Sequence, residues 1–165
     1  MNKISDRNIK LSSEEVAAFI KDHLPYRVKI LKTVINYPCM LITDKYWPSI
    51  YESAQITCRM FIQFFGFGVD WKGPLKLVSN TKYESYDKLS SHEVKIKDLG
   101  FDYICIDELN SDEQFILAHA YSAGSKATAH LTWNENFKAD PEKVIEAAII
   151  ILRILCDKIP QLKCY

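Results

Sequence analysis

The sequence predicts a mainly α protein: a four- to five-helix up-and-down bundle forming a single domain over residues 1–165, with a small irregular or β-hairpin insertion at about 67–110. Three observations predict it. Segments 47–65 and 141–158 carry apolar side chains around well over half of a helical circumference. Helix-start signals stand ahead of the helical segments on both sides of the insertion. Between them, Gly68, Gly73, Pro74 and the polar stretch 79–91 break any helical period.

Taken in order, Ser12 and Glu15 form a capping box that opens a helix running to about Leu24. Pro25 then suits the first turn of a second helix, 26–36, which Pro38 closes. The third helix, 47–65, has Pro48 in its first turn and Gly66 as its C-terminal cap. On it, Glu52, Gln55, Arg59 and Gln63 are expected to face water. Within the insertion, Val94 and Ile96 alternate with Glu93, Lys95 and Lys97, and 103–106 is a short apolar run. Both are candidate strands of a small hairpin. Ser111 with Gln114 offers a second capping box, and Asp112 and Glu113 suit a helix N-terminus. Asp140, Pro141 and Glu142 open the last helix, which Pro160 stops after Lys158. Its only coherent polar stripe is Glu146, Arg153 and Asp157. So broad an apolar face needs a central place in the bundle or burial against a second subunit.

The 21 basic and 21 acidic side chains leave a formal net charge of zero. That disfavours a non-specific binder of nucleic acid or of an anionic membrane, because neither has a net positive field to draw on. The zero hides a gradient: residues 1–45 carry 8 positive and 5 negative charges, residues 101–165 carry 6 and 10. Residues 1–10 lack the apolar core of a signal peptide, and no apolar run approaches the ~20 residues that span a bilayer. Five cysteines, an odd number with no C-x-x-C pair, suit free thiols in a reducing cytoplasm. They argue against a disulfide framework and a structural zinc site. Cys58 and Cys156, within apolar helical faces, are expected to be inert.

Three places carry chemistry. Along the helix that begins at Ser111, the residues Ile116, Ala120, Ala123, Gly124, Ala127 and Leu131 share one face, so a neighbouring helix can approach closely. At its edge His119, Lys126 and His130 line up, because spacings of seven and eleven are nearly whole turns. The functional reading gives His130 acid–base work and Lys126 an anion contact. The plainer one makes both histidines hydrogen-bonded boundary residues. A metal shared by the two histidines is excluded, since eleven helical residues rise ~16 Å. Arg27 shares its face with Ile30, Leu31 and Val34, while Lys29, Lys32 and Asn36 share the opposite one. It calls for an anionic ligand, an internal carboxylate or a snorkelling exit. The acidic run Asp102, Asp107, Glu108, Asp112 and Glu113 is explained most simply by helix N-terminal acids and a solvated loop. No P-loop, dinucleotide fingerprint, zinc or serine-hydrolase motif is present, and no cofactor or metal is expected.

The stretch Ser125-Lys126-Ala127-Thr128-Ala129-His130-Leu131-Thr132, late in a helix and followed by a loop and an apolar helix, is similar to one in HEPN-like bundles. Members of that superfamily are compact bundles of four or five helices, often dimeric, found in bacterial toxin–antitoxin and anti-phage systems. Many are metal-independent ribonucleases whose motif sets an arginine shortly before a histidine. The resemblance covers about the last 55 residues and implies that His130 is the catalytic histidine. Here the basic residue is Lys126, and no arginine stands between Arg59 and Arg153. The broken motif favours a non-catalytic member.

The expectation is therefore a cytoplasmic, bacterial, homodimeric bundle acting as a binding or regulatory module. Self-association is expected first, a protein partner next and RNA as a less favoured one, with no membrane. Two rivals stand beside it. One is a HEPN-type ribonuclease using His130 with Lys126. The other is a sensor of a small anionic ligand, in which the insertion closes over a pocket lined by Arg27 and His119.

Overall fold

A computed structural model describes residues 11–37, 45–70, 72, 74–79, 94–126 and 140–164. Ser12 caps the chain's first helical rod as expected: its hydroxyl accepts from the Glu15 N–H, and the Glu15 carboxylate accepts from the Ser12 N–H at 2.8 Å. The rod does not divide at Pro25. Helix α1 (Ser13–Ala18) passes through a single π-helical segment, Phe19–His23, into α2 (Leu24–Asn36). Proline lacks an N–H, and in an α-helix its ring meets the carbonyl four residues back. Here the turn ahead of Pro25 is widened, with the Leu24 N–H reaching back five residues to the Phe19 carbonyl. That wider turn accommodates the proline without ending the helix.

Helix α3 (Trp47–Phe64) has Pro48 in its first turn. Gly66, at φ 91°, turns the chain out of it. A Cβ there would lie 2.6 Å from the Tyr103 ring, a second reason for glycine. The chain enters β1 (Phe67–Asp70) directly and returns in β2 (Lys76–Ser79), antiparallel, with Phe67 opposite Ser79 and Asp70 opposite Lys76. The hairpin thus lies earlier than the sequence suggests. Residues 94–106 hold no strand; they form two short 3-10 turns, Ile96–Leu99 and Ile106–Glu108. Asp98 accepts from the Lys95 N–H, Glu108 from the Cys105 N–H, and Gly100 at φ 87° ends the first turn. Local carboxylate caps outcompete the alternation that suggested strands.

Helix α4 (Ser111–Lys126) starts on a different capping box from the one expected. Asn110 and Glu113 exchange side-chain-to-backbone bonds of 3.0 Å, while Gln114 donates to the Ile106 and Leu109 carbonyls. Helix α5 (Pro141–Lys158) opens as predicted: Asp140 accepts from the Glu142 N–H and Pro141 takes the first position, where no N–H is missed. The acidic run clips to this helix. Glu113 pairs with Arg153 at 2.6 Å and Glu108 with Lys158 at 2.8 Å.

The result is a mainly α bundle with a β-hairpin insertion. Rod α1–α2 touches α3, α3 touches α4, α4 touches α5, and α5 closes back on α2 while also meeting α3. One core cluster runs through all of them. Val144, Ala147, Ala148, Ile150, Ile151, Ile154 and Leu155 of α5 are buried within the chain, so its breadth is spent on the core. Its solvent stripe holds Glu146, Arg153 and Asp157, with Ile149 added. Among the described residues, no helix is long and apolar enough to cross a membrane.

Two expectations about α3 and α4 meet at one contact. The small-residue face of α4 is approached closely, as predicted, and the helix that approaches is α3. A Cβ on Gly124 would stand 2.5 Å from the Gln55 carbonyl oxygen and 2.9 Å from the Arg59 Cβ. The supposed wet side of α3 is therefore covered. Gln55 is buried, hydrogen-bonding the Tyr51 side chain, and Gln63 donates to the Tyr121 hydroxyl at 3.1 Å. Of the four residues expected to face water, Glu52 does so, joined by Ser53, Ile56 and Met60. Gly124→Ala is expected to lose stability even though alanine favours helices by about 1 kcal/mol, because overpacking against a backbone oxygen costs ~1–3 kcal/mol. The urea midpoint should fall with an unchanged m-value.

Candidate functional site

The π segment and the first turn of α2 form one wall of a cleft of about 280 Å³, and α3 forms the other. Phe19, His23, Leu24 and Arg27 line this wall, with Phe19, His23 and Arg27 at successive steps of four along one face. The Phe19 and His23 rings stack with centroids 5.4 Å apart. From α3 come Thr57, Met60, Phe61, Gln63 and Phe64; Val94 and Lys95, at the end of the insertion, complete the lining. The aromatic array continues inward: Phe19 stacks on Phe64 at 6.5 Å, and Phe64 meets Phe61 edge-on at 6.1 Å.

The cleft is apolar in its floor and cationic at its rim. Phe61 and Phe64 are buried, whereas Arg27 and Lys95 are half-exposed and His23 is exposed. No carboxylate stands among the described lining residues. Among the described residues, no acidic side chain lies within ion-pair distance of Arg27; its guanidinium rests 5.5 Å from the Tyr26 ring. The Thr57 hydroxyl donates to the Ser53 carbonyl at 2.7 Å, so toward the cleft it offers lone pairs rather than a proton. A guest with negative charge would therefore be met by the rim cations, and one with apolar surface by the phenylalanines.

Of the described candidate site residues, Arg27 lines the cleft and His119 does not. His119 lies elsewhere, half-buried between α4 and the start of α5. Its Nε2 accepts from the Asp140 N–H at 3.5 Å, and its ring leans on Phe115 at 6.4 Å. His130 and the side chain of Lys126 lie outside the described residues. Two rim residues escaped the sequence reading. His23 stands one helical step of four from Arg27 on the same face, a signal that was legible. Lys95 is brought in by tertiary packing and has no local signal.

Other candidates resolve into structural tasks. Cys58 is fully buried beside the Val144 carbonyl, and desolvation pushes its thiol up to about 12, which removes it as a nucleophile at neutral pH. Among the described residues, no group of three or more His, Cys, Asp and Glu side chains is placed to hold a metal ion. No protein-family model matches the chain, and comparison with curated proteins and with solved structures gives no match.

His119 yields a pH prediction. Burial, then the Lys143 charge, lower its pKa below the ordinary 6.5, and Asp140 opposes them only in part. The unfolded chain therefore takes up this proton at a higher pH than the folded one, so protonation favours unfolding. The contribution is present above pH 6.5 and lost as pH falls below it. His119→Gln keeps an acceptor for Asp140 but cannot titrate. Its urea midpoint should fall less steeply than the wild type's from about pH 7 to 5, with every other histidine common to both chains.

Proposed function

We propose that this protein is a non-catalytic binding module whose cleft between α2 and α3 takes a small anionic ligand. The single observation that carries the proposal is Arg27: a guanidinium at the mouth of an apolar cleft, without a carboxylate partner among the described residues. Burying part of an arginine in such a place is costly unless an anion completes it. Lys95 on the same rim adds to the attraction, and none of the described lining residues is acidic. The insertion contributes Val94 and Lys95 to the lining, as a ligand sensor built on this bundle would require. A reducing, cytoplasmic setting goes with this function, supported by Cys58, Cys105 and Cys156 standing as free thiols.

Thermal denaturation in the presence of acetate, inorganic phosphate and aryl carboxylates tests the proposal. An anion present at one hundred times its Kd stabilises the folded chain by about 2.7 kcal/mol, worth ~5–10 °C in Tm for a chain of this size. Arg27→Met keeps the aliphatic stem and removes the charge. It should abolish the stabilisation while leaving the Tm of the free protein within a few degrees. Stabilisation that persists in Arg27→Met, or is absent for every anion, would sink the proposal.

A further inference from the structure

The shape of the cleft says more about its guest than charge alone. A bare carboxylate or phosphate would touch the rim and leave the floor wet. A water molecule takes up ~30 Å³ of the liquid, and an apolar cavity of ~150 Å³ is enough to hold a benzene ring. At about 280 Å³ this cleft has room for an arene together with its charged head. Its floor is aromatic, made by rings that pack against one another. Phe19 and Phe64 lie 24° from parallel, 6.5 Å apart, and Phe61 presents an edge to Phe64 at 80°. Added aromatic contacts of this kind contribute beyond the area they bury. Met60, 40% exposed at the lip, supplies an unbranched, polarisable side chain that adapts to an irregular guest.

The head group is dictated by what the rim lacks as much as by what it holds. With Arg27 and Lys95 there and no carboxylate among the described lining residues, the described rim favours a negative head group over a positive one. The Arg27 fork matches a planar carboxylate with two parallel N–H···O bonds. Thr57 has its proton committed to Ser53, so neutral acceptor groups on the guest gain nothing from it.

We infer that the ligand class of this cleft is a planar arene bearing one carboxylate, with the ring against the floor formed by Phe19, Phe61 and Phe64 and the carboxylate on Arg27. This rests on the anion-binding proposal above and narrows it. The test is a calorimetric titration of the full chain with three probes: 2-naphthoate, which has ring and head; acetate, which has the head; and 2-naphthylmethanol, which has the ring. Each is titrated into wild type, Arg27→Met and Phe19→Leu.

In wild type, 2-naphthoate should bind at least tenfold more tightly than either partial probe. Arg27→Met should reduce its affinity at least tenfold without changing that of 2-naphthylmethanol. Phe19→Leu should weaken 2-naphthoate and leave acetate unchanged. If Phe19→Leu does not fold, nuclear Overhauser contacts in wild type between 2-naphthoate protons and the Phe19 and Phe64 rings take its place as the criterion. Acetate binding as tightly as 2-naphthoate, with both lost in Arg27→Met, would overturn the arene inference and leave the anion-binding proposal standing. Binding of 2-naphthoate that ignores Arg27→Met, or no binding by any probe, would overturn both.

Discussion

The approach of α3 to α4 at Gly124 sets the arrangement on which the rest depends. A hydrogen in place of a Cβ lets the Gln55 carbonyl lie against α4, a distance no side chain would permit. That contact fixes the rotation of α3 about its own axis. At about 100° per residue, Thr57, Phe61 and Phe64 then fall on the side roughly opposite Gln55, toward α2. Met60 reaches the lip of the cleft for the same reason, and Ile56 is left in solvent beside it. Had α3 kept Gln55, Arg59 and Gln63 in water, Phe61 and Phe64 would have turned away from the α2 wall. The small-residue face of α4 and the aromatic floor of the cleft are thus two ends of one packing decision.

The other wall follows from Pro25. Its missing N–H and its ring are incompatible with a regular α turn ahead of it, and the chain meets both by widening that turn. Because the rod continues through the junction, Phe19, His23 and Arg27, at successive steps of four, stay on one face, and a stacked ring pair sits directly before the guanidinium. A break at Pro25 would separate Phe19 and His23 from Arg27. Single widened turns of this kind are frequent at functional sites.

Much of the fold was legible because helix signals are local. Ser12 with Glu15, Asp140 with Pro141, and Gly66 each act within four residues of themselves, and each does what its chemistry dictates. The hairpin was misplaced although its signal was present: apolar residues at 67–70 and 76–79 flank turn formers Gly73 and Pro74. The glycines were read as breakers of a helix rather than as punctuation of a hairpin. The error on α3 was of another kind. Gln55, Arg59 and Gln63 have the polarity of a wet face, and only knowledge of where Gly124 docks shows that it is covered. Arg27 stood out in sequence because a lone cation among apolar positions is an anomaly in any fold. Lys95 could not, since its place on the rim is set by a packing event nearly seventy residues away from Arg27.

The formal charge of zero takes on a different meaning once partners are assigned. Three acids of the C-terminal third are held locally: Glu113 pairs with Arg153 and caps α4, Glu108 pairs with Lys158, and Asp140 caps α5. The cations Arg153 and Lys158 are consumed in the same pairs. Arg27 has no such partner among the described residues, and no described residue of the lining it shares with Lys95 and His23 is acidic. Screening confines each charge to a range of about 8–10 Å at physiological ionic strength. A small ligand entering the cleft therefore responds to the rim it touches and not to the sum over the chain. Net neutrality removes the long-range field that a polyanion binder needs, while leaving intact a local site for a single negative charge.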